Sequence, residues 1–308
     1  MLRLTNVTKL YGSVIGVNDV TVELGAGAHG LLGPNGAGKT TFIGLVTGQL
    51  RPSMGHVEVF GAAPFGNDAV LRRIGFCPAS DIRERTATAL EWVRYLLRLG
   101  GFGAVEAATR AARTLDAVGL GEAARRPLGT LSKGMRQRAK IAGAIAHEPD
   151  LLVLDEPFDG LDPVARHDLV EMVRRWSRSR SLLVASHLLH EVEALHAGLA
   201  VILGGRLVAS GSADEIRSLV ESMPTEIRVH CAEPRRLAAR LVASPACLSL
   251  RLEGERSLIV ATRQPDTVAD VVGAAAAEGL EVETIVPADR SLEGLFARLV
   301  HLHRGIAP

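Results

Sequence analysis

Apolar and polar residues alternate through the first 27 positions of the chain. Leu2 and Leu4 share one face while polar residues occupy the other, and the run from 20 to 24 repeats this period of two. Such alternation is typical of half-buried strands, and Tyr11-Gly12 supplies a turn between them. The pattern therefore predicts an antiparallel β subdomain at the start of the chain.

Two later segments are apolar without alternation. Residues 151–154 and 182–185 form continuous apolar runs, as expected for parallel strands that are covered on both faces. From 86 to 147 the apolar positions recur instead at the helical spacing, for example at Leu90 and Val93. The sequence therefore predicts an α/β core with a helical insertion at about residues 86–147.

The pattern changes again after about residue 220. Strand and helix periods follow each other in the order β-α-β-β-α-β, which predicts a small ferredoxin-like α+β domain. The predicted strands cover 226–230, 248–252, 257–261 and 280–286, and the predicted helices cover 234–242, 266–278 and 291–301. We therefore divide the chain into a large domain at residues 1–219 and an accessory domain at 220–308. Packing, dimerisation and ligand sensing all remain open as its role.

A glycine-rich loop connects a predicted buried strand to a predicted helix. Gly33, Gly38, Lys39 and Thr40 match the phosphate-binding pattern G-x-x-x-x-G-K-[ST]. Glycines let backbone N–H groups approach phosphate oxygens closely, Lys39 would reach the β- and γ-phosphates, and Thr40 would ligate Mg²⁺. The predicted nucleotide-binding loop comprises Gly33, Pro34, Asn35, Gly36, Ala37, Gly38, Lys39, Thr40 and Thr41.

Two adjacent carboxylates follow the apolar run at 151–154. Asp155 is placed at the carboxyl end of the predicted strand, where it would hold Mg²⁺, and Glu156 follows as the candidate general base for an attacking water. A solvated turn is the alternative. The buried strand directly before the pair makes the catalytic interpretation the better one.

Composition narrows the range of functions. The 308 residues carry 35 basic and 34 acidic side chains, so no net field favours nucleic acid as a partner. The cysteines Cys77, Cys231 and Cys247 are widely spaced, as expected of structural thiols in a reducing compartment. We expect neither a secretory signal nor a membrane span, because even the apolar run at 194–203 is too short. A membrane role would then require a partner.

The predicted insertion contains Leu131-Ser-Lys-Gly-Met135, and here the sequence resembles the nucleotide-binding subunit of an ATP-binding cassette (ABC) transporter. In that family a Leu-Ser-Gly-Gly-Gln signature begins a helix and closes over ATP held by the partner in a head-to-tail dimer. Ser132 and Gly134 match, whereas Lys133 and Met135 depart from the commonest form. The resemblance implies that Ser132 and Gly134 contact the nucleotide of a second subunit.

The resemblance assigns three further residues. Tyr11 resembles the aromatic residue that stacks on adenine, and Asp162 ends a Phe-Asp-Gly-Leu-Asp segment that resembles the loop between the two sites. His187 resembles the catalytic switch histidine that contacts the γ-phosphate and orients Glu156. A zinc site is the alternative for the nearby His190, but H-E-x-x-H fails because Ala194 occupies the place of the second histidine.

This sequence lacks one residue that the family usually has. Ala79 stands where the family usually has a glutamine that reaches Mg²⁺ and couples the site to the membrane subunit. Three explanations remain open: Ser80 or Asp81 substitutes, water completes the Mg²⁺ shell, or the coupling is altered. We favour water, because Mg²⁺ commonly retains several water ligands.

Taken together, these motifs predict an ATP-hydrolysing subunit, with ATP and Mg²⁺ as cofactors, that powers a separately encoded membrane permease. The signature and the segment at 291–296 resemble the exporter branch. We expect a homodimer or a heterodimer with a related subunit, peripheral on the cytoplasmic face of the membrane, with no nucleic-acid partner. The alternative is a soluble ATP-switched interaction protein of the same superfamily. The transported substrate does not follow from the sequence.

Overall fold

The computed structural model describes residues 1–195, 197–212, 214–216, 225–244, 247–262 and 267–287. The chain divides into two compact units, residues 1–213 and 214–308. The domain boundary predicted at 219 and 220 lies outside the described residues, as do His196 and the helix predicted at 291–301.

The first unit contains two sheets and seven α-helices within its described residues. In chain order its elements are β1 (Leu2–Tyr11), β2 (Val14–Leu24), β3 (Ala28–Leu32), α1 (Lys39–Val46), β4 (Met54–Val59), α2 (Asp68–Leu71), β5 (Ile74–Cys77), α3 (Ala89–Leu99), α4 (Ala104–Ala117), α5 (Lys133–Ile145), β6 (Leu151–Asp155), α6 (Pro163–Ser177), β7 (Ser181–Ser186), α7 (Leu189–Glu193), β8 (Gly198–Leu203) and β9 (Arg206–Gly211).

The larger sheet has the strand order β5-β6-β7-β3-β8-β9. Its first five strands are parallel to their neighbours, and β9 pairs antiparallel to β8. Every residue of β6 and β7 is buried, as their unbroken apolar runs predict for central parallel strands. The observed sheet confirms the predicted α/β class.

The smaller sheet is antiparallel and has the order β2-β1-β4. Residues alternate between buried and exposed at the start of β1, and Leu2 and Leu4 are buried against the larger sheet. Helix α1 lies within the same core, where Phe42 packs with Leu4 of β1 and Val153 of β6 in one apolar cluster. The core thus fixes the start of α1 relative to the strand ends, and this determines the position of the loop before α1.

The helical insertion has a core of its own. Helices α3, α4 and α5 pack around Val93, Leu97, Ala111 and Leu115. A capping box begins α3, because the Thr88 hydroxyl oxygen accepts a hydrogen bond from the backbone N–H of Glu91 and the Glu91 carboxylate accepts one from the backbone N–H of Thr88. The predicted helical insertion is present. The signature segment lies at the beginning of α5, and α5 packs against β5 of the larger sheet.

The second unit contains β10 (Thr225–Cys231), α8 (Pro234–Leu241), β11 (Cys247–Leu252), β12 (Ser257–Thr262), α9 (Thr267–Ala277) and β13 (Val282–Pro287). Its antiparallel sheet has the order β11-β12-β10-β13, which is the ferredoxin-like arrangement. Val229 and Val260 pack with Leu237 of α8 and Val271 of α9 in its core. This confirms the predicted β-α-β-β-α-β order.

Candidate active site

The loop between β3 and α1 needs its glycines for steric reasons. Gly36 and Gly38 have φ angles of +78° and +106°, a region that other residues rarely adopt. A Cβ at Gly38 would also lie 2.6 Å from the carbonyl oxygen of Gly16, and one at Gly33 would lie 2.4 Å from that of Ile202. The backbone therefore curves tightly between β2 and β8, as a loop that binds phosphate must.

Lys39 is the buried cation of this loop. It begins α1, is 6% exposed, and donates hydrogen bonds to the carbonyl oxygens of Gly33 at 2.7 Å and Pro34 at 3.1 Å. Its Nζ also lies 3.1 Å from Oε1 of Glu156. The ammonium group is thus held across the loop, next to the end of β6.

Thr40 and Asp155 meet although they lie on different elements. The Thr40 hydroxyl donates a hydrogen bond to Oδ2 of Asp155 at 3.2 Å. Burial raises the pKa of Asp155, while the bond from Thr40 lowers it. The second oxygen of Asp155 is buried without a hydrogen-bond partner. A hydroxyl and a carboxylate are ligands that suit Mg²⁺. The unpaired oxygen of Asp155 is therefore available to ligate a cation.

Glu156 adopts an unusual backbone conformation. Its φ is +47°, and its N–H donates to the carbonyl oxygen of Ala185 on β7 at 3.0 Å. A left-handed non-glycine residue costs about 1–3 kcal/mol and is characteristic of functional sites. Oε2 of Glu156 lies 2.9 Å from Nδ1 of His187, which follows β7. The ends of β6 and β7 thus bring Glu156 and His187 together.

A further set of polar contacts surrounds Ser186, directly before His187, and the sequence analysis did not identify it. Ser186 donates to Oε2 of the buried Glu191 at 2.6 Å and accepts from the N–H of Leu188 at 3.0 Å. Arg166 of α6 approaches the other oxygen of Glu191 at 3.7 Å. Burial raises the pKa of Glu191, and the Ser186 hydroxyl and Arg166 oppose this effect. The available signal was a carboxylate four positions after His187, between the apolar residues Leu189 and Val192 of the short helix α7.

Tyr11 lies beside the loop at the end of β1. Its hydroxyl is 3.4 Å from Oγ1 of Thr41, and its ring is 45% exposed. The ammonium of Lys9 lies 5.5 Å from the ring centroid. An exposed aromatic face next to the loop is available for stacking.

The signature residues form a separate group at the beginnings of α5 and α6. Ser132 caps α5 by accepting from the N–H of Met135 at 3.2 Å, and Asp162 caps α6 by accepting from the N–H of Ala165 at 2.8 Å. A Cβ at Gly134 would lie 3.2 Å from the Cβ of Ala165, so this glycine permits close packing of the two helices. The hydrogen bonds of Ser132 and Asp162 are made to their own helices.

The structure bears on one candidate substitute for the missing glutamine, Asp81. Ala79 is exposed, and Asp81 pairs with Arg85 at 3.2 Å and with Arg136 at 3.0 Å. These two arginines, of which Arg136 lies on α5, thus already pair with the Asp81 carboxylate. The zinc hypothesis also gains no support, because the described residues contain no group of three His, Cys, Asp or Glu side chains able to hold a metal.

Comparisons with known proteins identify the family of this chain. The family described as "ABC transporter" matches residues 17–159. The daunorubicin/doxorubicin resistance ATP-binding protein DrrA of Streptomyces peucetius is 35% identical over 83% of this chain and 82% of its own length. The Nod factor export ATP-binding protein I of Rhizobium leguminosarum bv. viciae is 34% identical over 87% of this chain and 86% of its own length.

Solved structures show the same fold. The ATP-binding subunit of an ABC transporter superposes with a TM-score of 0.63 at 28% identity, over 71% of this chain and 92% of that one. A dimeric ATP-binding cassette bound to ADP and Pi superposes with a TM-score of 0.62 at 23% identity, over 69% of this chain and 98% of that one.

The chain therefore belongs to the ATP-binding subunits of ABC transporters. This confirms the predicted family, the P-loop fold and ATP hydrolysis as the enzymatic activity. Among the described residues, no helix has both the length and the apolar character needed to cross a bilayer. The roles of the individual site residues stay predictions.

Proposed function

We propose that this subunit uses Glu156 as the general base for ATP hydrolysis and thereby drives a separately encoded membrane permease. The observation that carries the proposal is the position of the Glu156 carboxylate. It lies 3.1 Å from Lys39 at one oxygen and 2.9 Å from His187 at the other. A carboxylate held between a phosphate-binding lysine and a histidine is placed to orient water and accept its proton.

The remaining residues of the site bind and orient. Lys39 and the glycine loop hold the phosphates, and Thr40 and Asp155 hold Mg²⁺, which when bound neutralises charge on the phosphate oxygens. His187 fixes the carboxylate of Glu156 through their hydrogen bond. Tyr11 offers its exposed ring to the adenine. Each function requires only side chains that already lie at the loop or at the two strand ends.

The complete site requires two subunits. Ser132, Gly134 and Asp162 belong to a group whose hydrogen bonds and packing are local to α5 and α6. The capped beginning of α5 presents backbone N–H groups that favour an anion. We assign this group to the nucleotide of the partner subunit in a head-to-tail dimer. A dimeric cassette among the structural neighbours supports the assignment.

The transport direction is export, and the permease is the membrane partner. The similar proteins include drug resistance and Nod factor export subunits, which supports this direction. The subunit would then lie on the cytoplasmic face of the membrane, where ATP is available. No property of the site specifies the exported compound, because recognition belongs to the permease.

Affinity purification from detergent-solubilised membranes tests the partner. We expect a protein with several membrane spans to co-purify at a fixed ratio with this subunit. Recovery of ribosomes or DNA without a membrane protein would instead support the soluble ATP-switched alternative and contradict the transport function.

A further inference from the structure

Lys140 is a buried cation that the reaction described above does not use. It lies on α5, is 5% exposed, and has no carboxylate oxygen of the described residues within 4.0 Å. Its ammonium donates to Oε1 of Gln137 at 3.1 Å and to the carbonyl oxygen of Ala79 at 3.5 Å. Burying an ammonium group without a directly paired carboxylate is costly, so its position calls for a reason.

The sheet register places this ammonium beside the active site. β5 and β6 are parallel neighbours, with Cys77 opposite Leu154. The chain therefore leaves both strands at the same edge, through Ala79 after β5 and through Asp155 at the end of β6. Because Lys140 donates to Ala79, its charge lies next to that edge. Burial raises the pKa of Asp155, and the Lys140 charge acts in the opposite direction.

Lys140 also lines a groove of about 1040 Å³ on the first unit. The groove lies between the segment after β5 and the helices α3 and α5. Its lining includes Pro78, Asp81, Arg72 and Trp92. The same side chain thus borders the groove and the strand edge that carries Asp155.

We propose that Lys140 is a positioning residue that connects the nucleotide site to the groove through the Ala79 carbonyl. The side chain at position 79 has no polar atom, so it can neither ligate a cation nor form a hydrogen bond, whereas the Ala79 carbonyl oxygen accepts one from Lys140. A cation bound at Asp155 repels the Lys140 ammonium and thereby displaces its hydrogen bond to the Ala79 carbonyl in the segment after β5. This inference rests on the proposed binding of Mg²⁺ and ATP at Asp155.

A tryptophan that lines the groove allows this connection to be measured by fluorescence. Trp92 lines the groove, and Trp176 on α6 is the second of the two tryptophans in the chain. The Trp176→Phe variant therefore leaves Trp92 as the single fluorophore. In this background we would measure Trp92 emission as MgATP, or ATP with EDTA, is added. Binding would be followed separately with a fluorescent ATP analogue.

The test compares substitutions at Lys140 in that background. We expect MgATP to change Trp92 emission in the parent and ATP with EDTA to have less effect. Lys140→Met should abolish the change while MgATP affinity stays within about threefold of the parent value. Lys140→Arg should keep the change because it keeps the charge. Arg72→Met is the matched control, since it removes an exposed cation of the same groove.

Each other outcome is decisive. A parent that binds no nucleotide refutes the proposed function itself. A parent that binds MgATP without any Trp92 change, or a Lys140→Met variant that keeps the change, overturns only the role of Lys140. Equal loss in Lys140→Arg and Lys140→Met contradicts a role for the charge. Circular dichroism checks folding, and Lys140→Gln replaces the methionine variant if the latter does not fold.

Discussion

Nδ1 of His187 lies 2.9 Å from Oε2 of Glu156, although 31 positions separate the two residues. The contact exists because β6 and β7 are parallel neighbours whose carboxyl ends meet at one edge of the sheet. Glu156 makes this contact from a left-handed backbone conformation, in which its N–H donates a hydrogen bond to the carbonyl oxygen of Ala185. Under the proposed function, we therefore expect hydrolysis by this subunit to depend on this contact between two strand ends.

Replacing His187 tests that contact. His187→Ala should lower the rate of ATP hydrolysis by about 10²-fold, because the Glu156 carboxylate loses the bond that orients it. The affinity for ATP should change by less than about threefold. His190→Ala is the control, since this exposed neighbour makes no contact with Glu156 among those described. Equal loss of activity in both variants would contradict a specific role for His187.

Asp155 should account for the Mg²⁺ dependence of ATP binding. In Asp155→Asn, the gain in ATP affinity on adding Mg²⁺ should fall by at least ~10-fold, because the cation loses an anionic ligand. Affinity in EDTA should be nearly unchanged. Isothermal titration with and without Mg²⁺ measures both values. Asp150→Asn is the control, because Asp150 lies directly before the other end of β6 and pairs with Arg73 at the surface. An undiminished Mg²⁺ effect in Asp155→Asn would remove Asp155 from the metal site.

Gly38 should be intolerant of any side chain. Gly38→Ala should destabilise the fold by about 1–3 kcal/mol, because of its φ of +106° and the clash with the Gly16 carbonyl. Gly25→Ala should change stability by less than about 0.5 kcal/mol, because a Cβ there meets no atom within 4 Å. Urea unfolding compares the two. Similar stabilities for both variants would mean that the loop relaxes around the added methyl group.

Mixing two inactive subunits tests the dimeric site. Lys39→Ala disables the phosphate loop and Gly134→Asp disables the signature, so each variant alone should be inactive. A mixture should regain about a quarter of the wild-type rate, because half of the dimers are mixed and each has one intact site. The ATPase rate after subunit exchange is the measurement. If subunit exchange is verified and no activity returns, Ser132 and Gly134 do not act on the partner's nucleotide.

Much of the site could be predicted from the sequence because its main residues belong to short contiguous motifs. The loop at 33–41 and the pair Asp155-Glu156 are each contiguous, and apolar runs before them fix their places at strand ends. The parallel strands then explain why Thr40 meets Asp155. The carboxyl ends of parallel strands lie at one edge of the sheet, so the residues that follow those strands are expected to lie close together.

The rest depends on which elements are neighbours, and local patterns do not specify this. Burial of Lys140 and its bond to Ala79 require that α5 pack against the end of β5. A lysine in an amphipathic helix is normally expected at the surface. The partners of Glu191 were likewise not predictable from local sequence, because Ser186 and Arg166 come from different elements.

Glu156→Gln separates binding from hydrolysis. The amide keeps the size of the side chain but cannot accept the proton of an attacking water. We expect ATP to bind with affinity close to that of the wild type, the ATP-bound dimer to accumulate, and hydrolysis to fall by at least ~10². Single-turnover ATPase assays, with size-exclusion chromatography in ATP, measure both effects. A rate near that of the wild type would show that Glu156 is not the base.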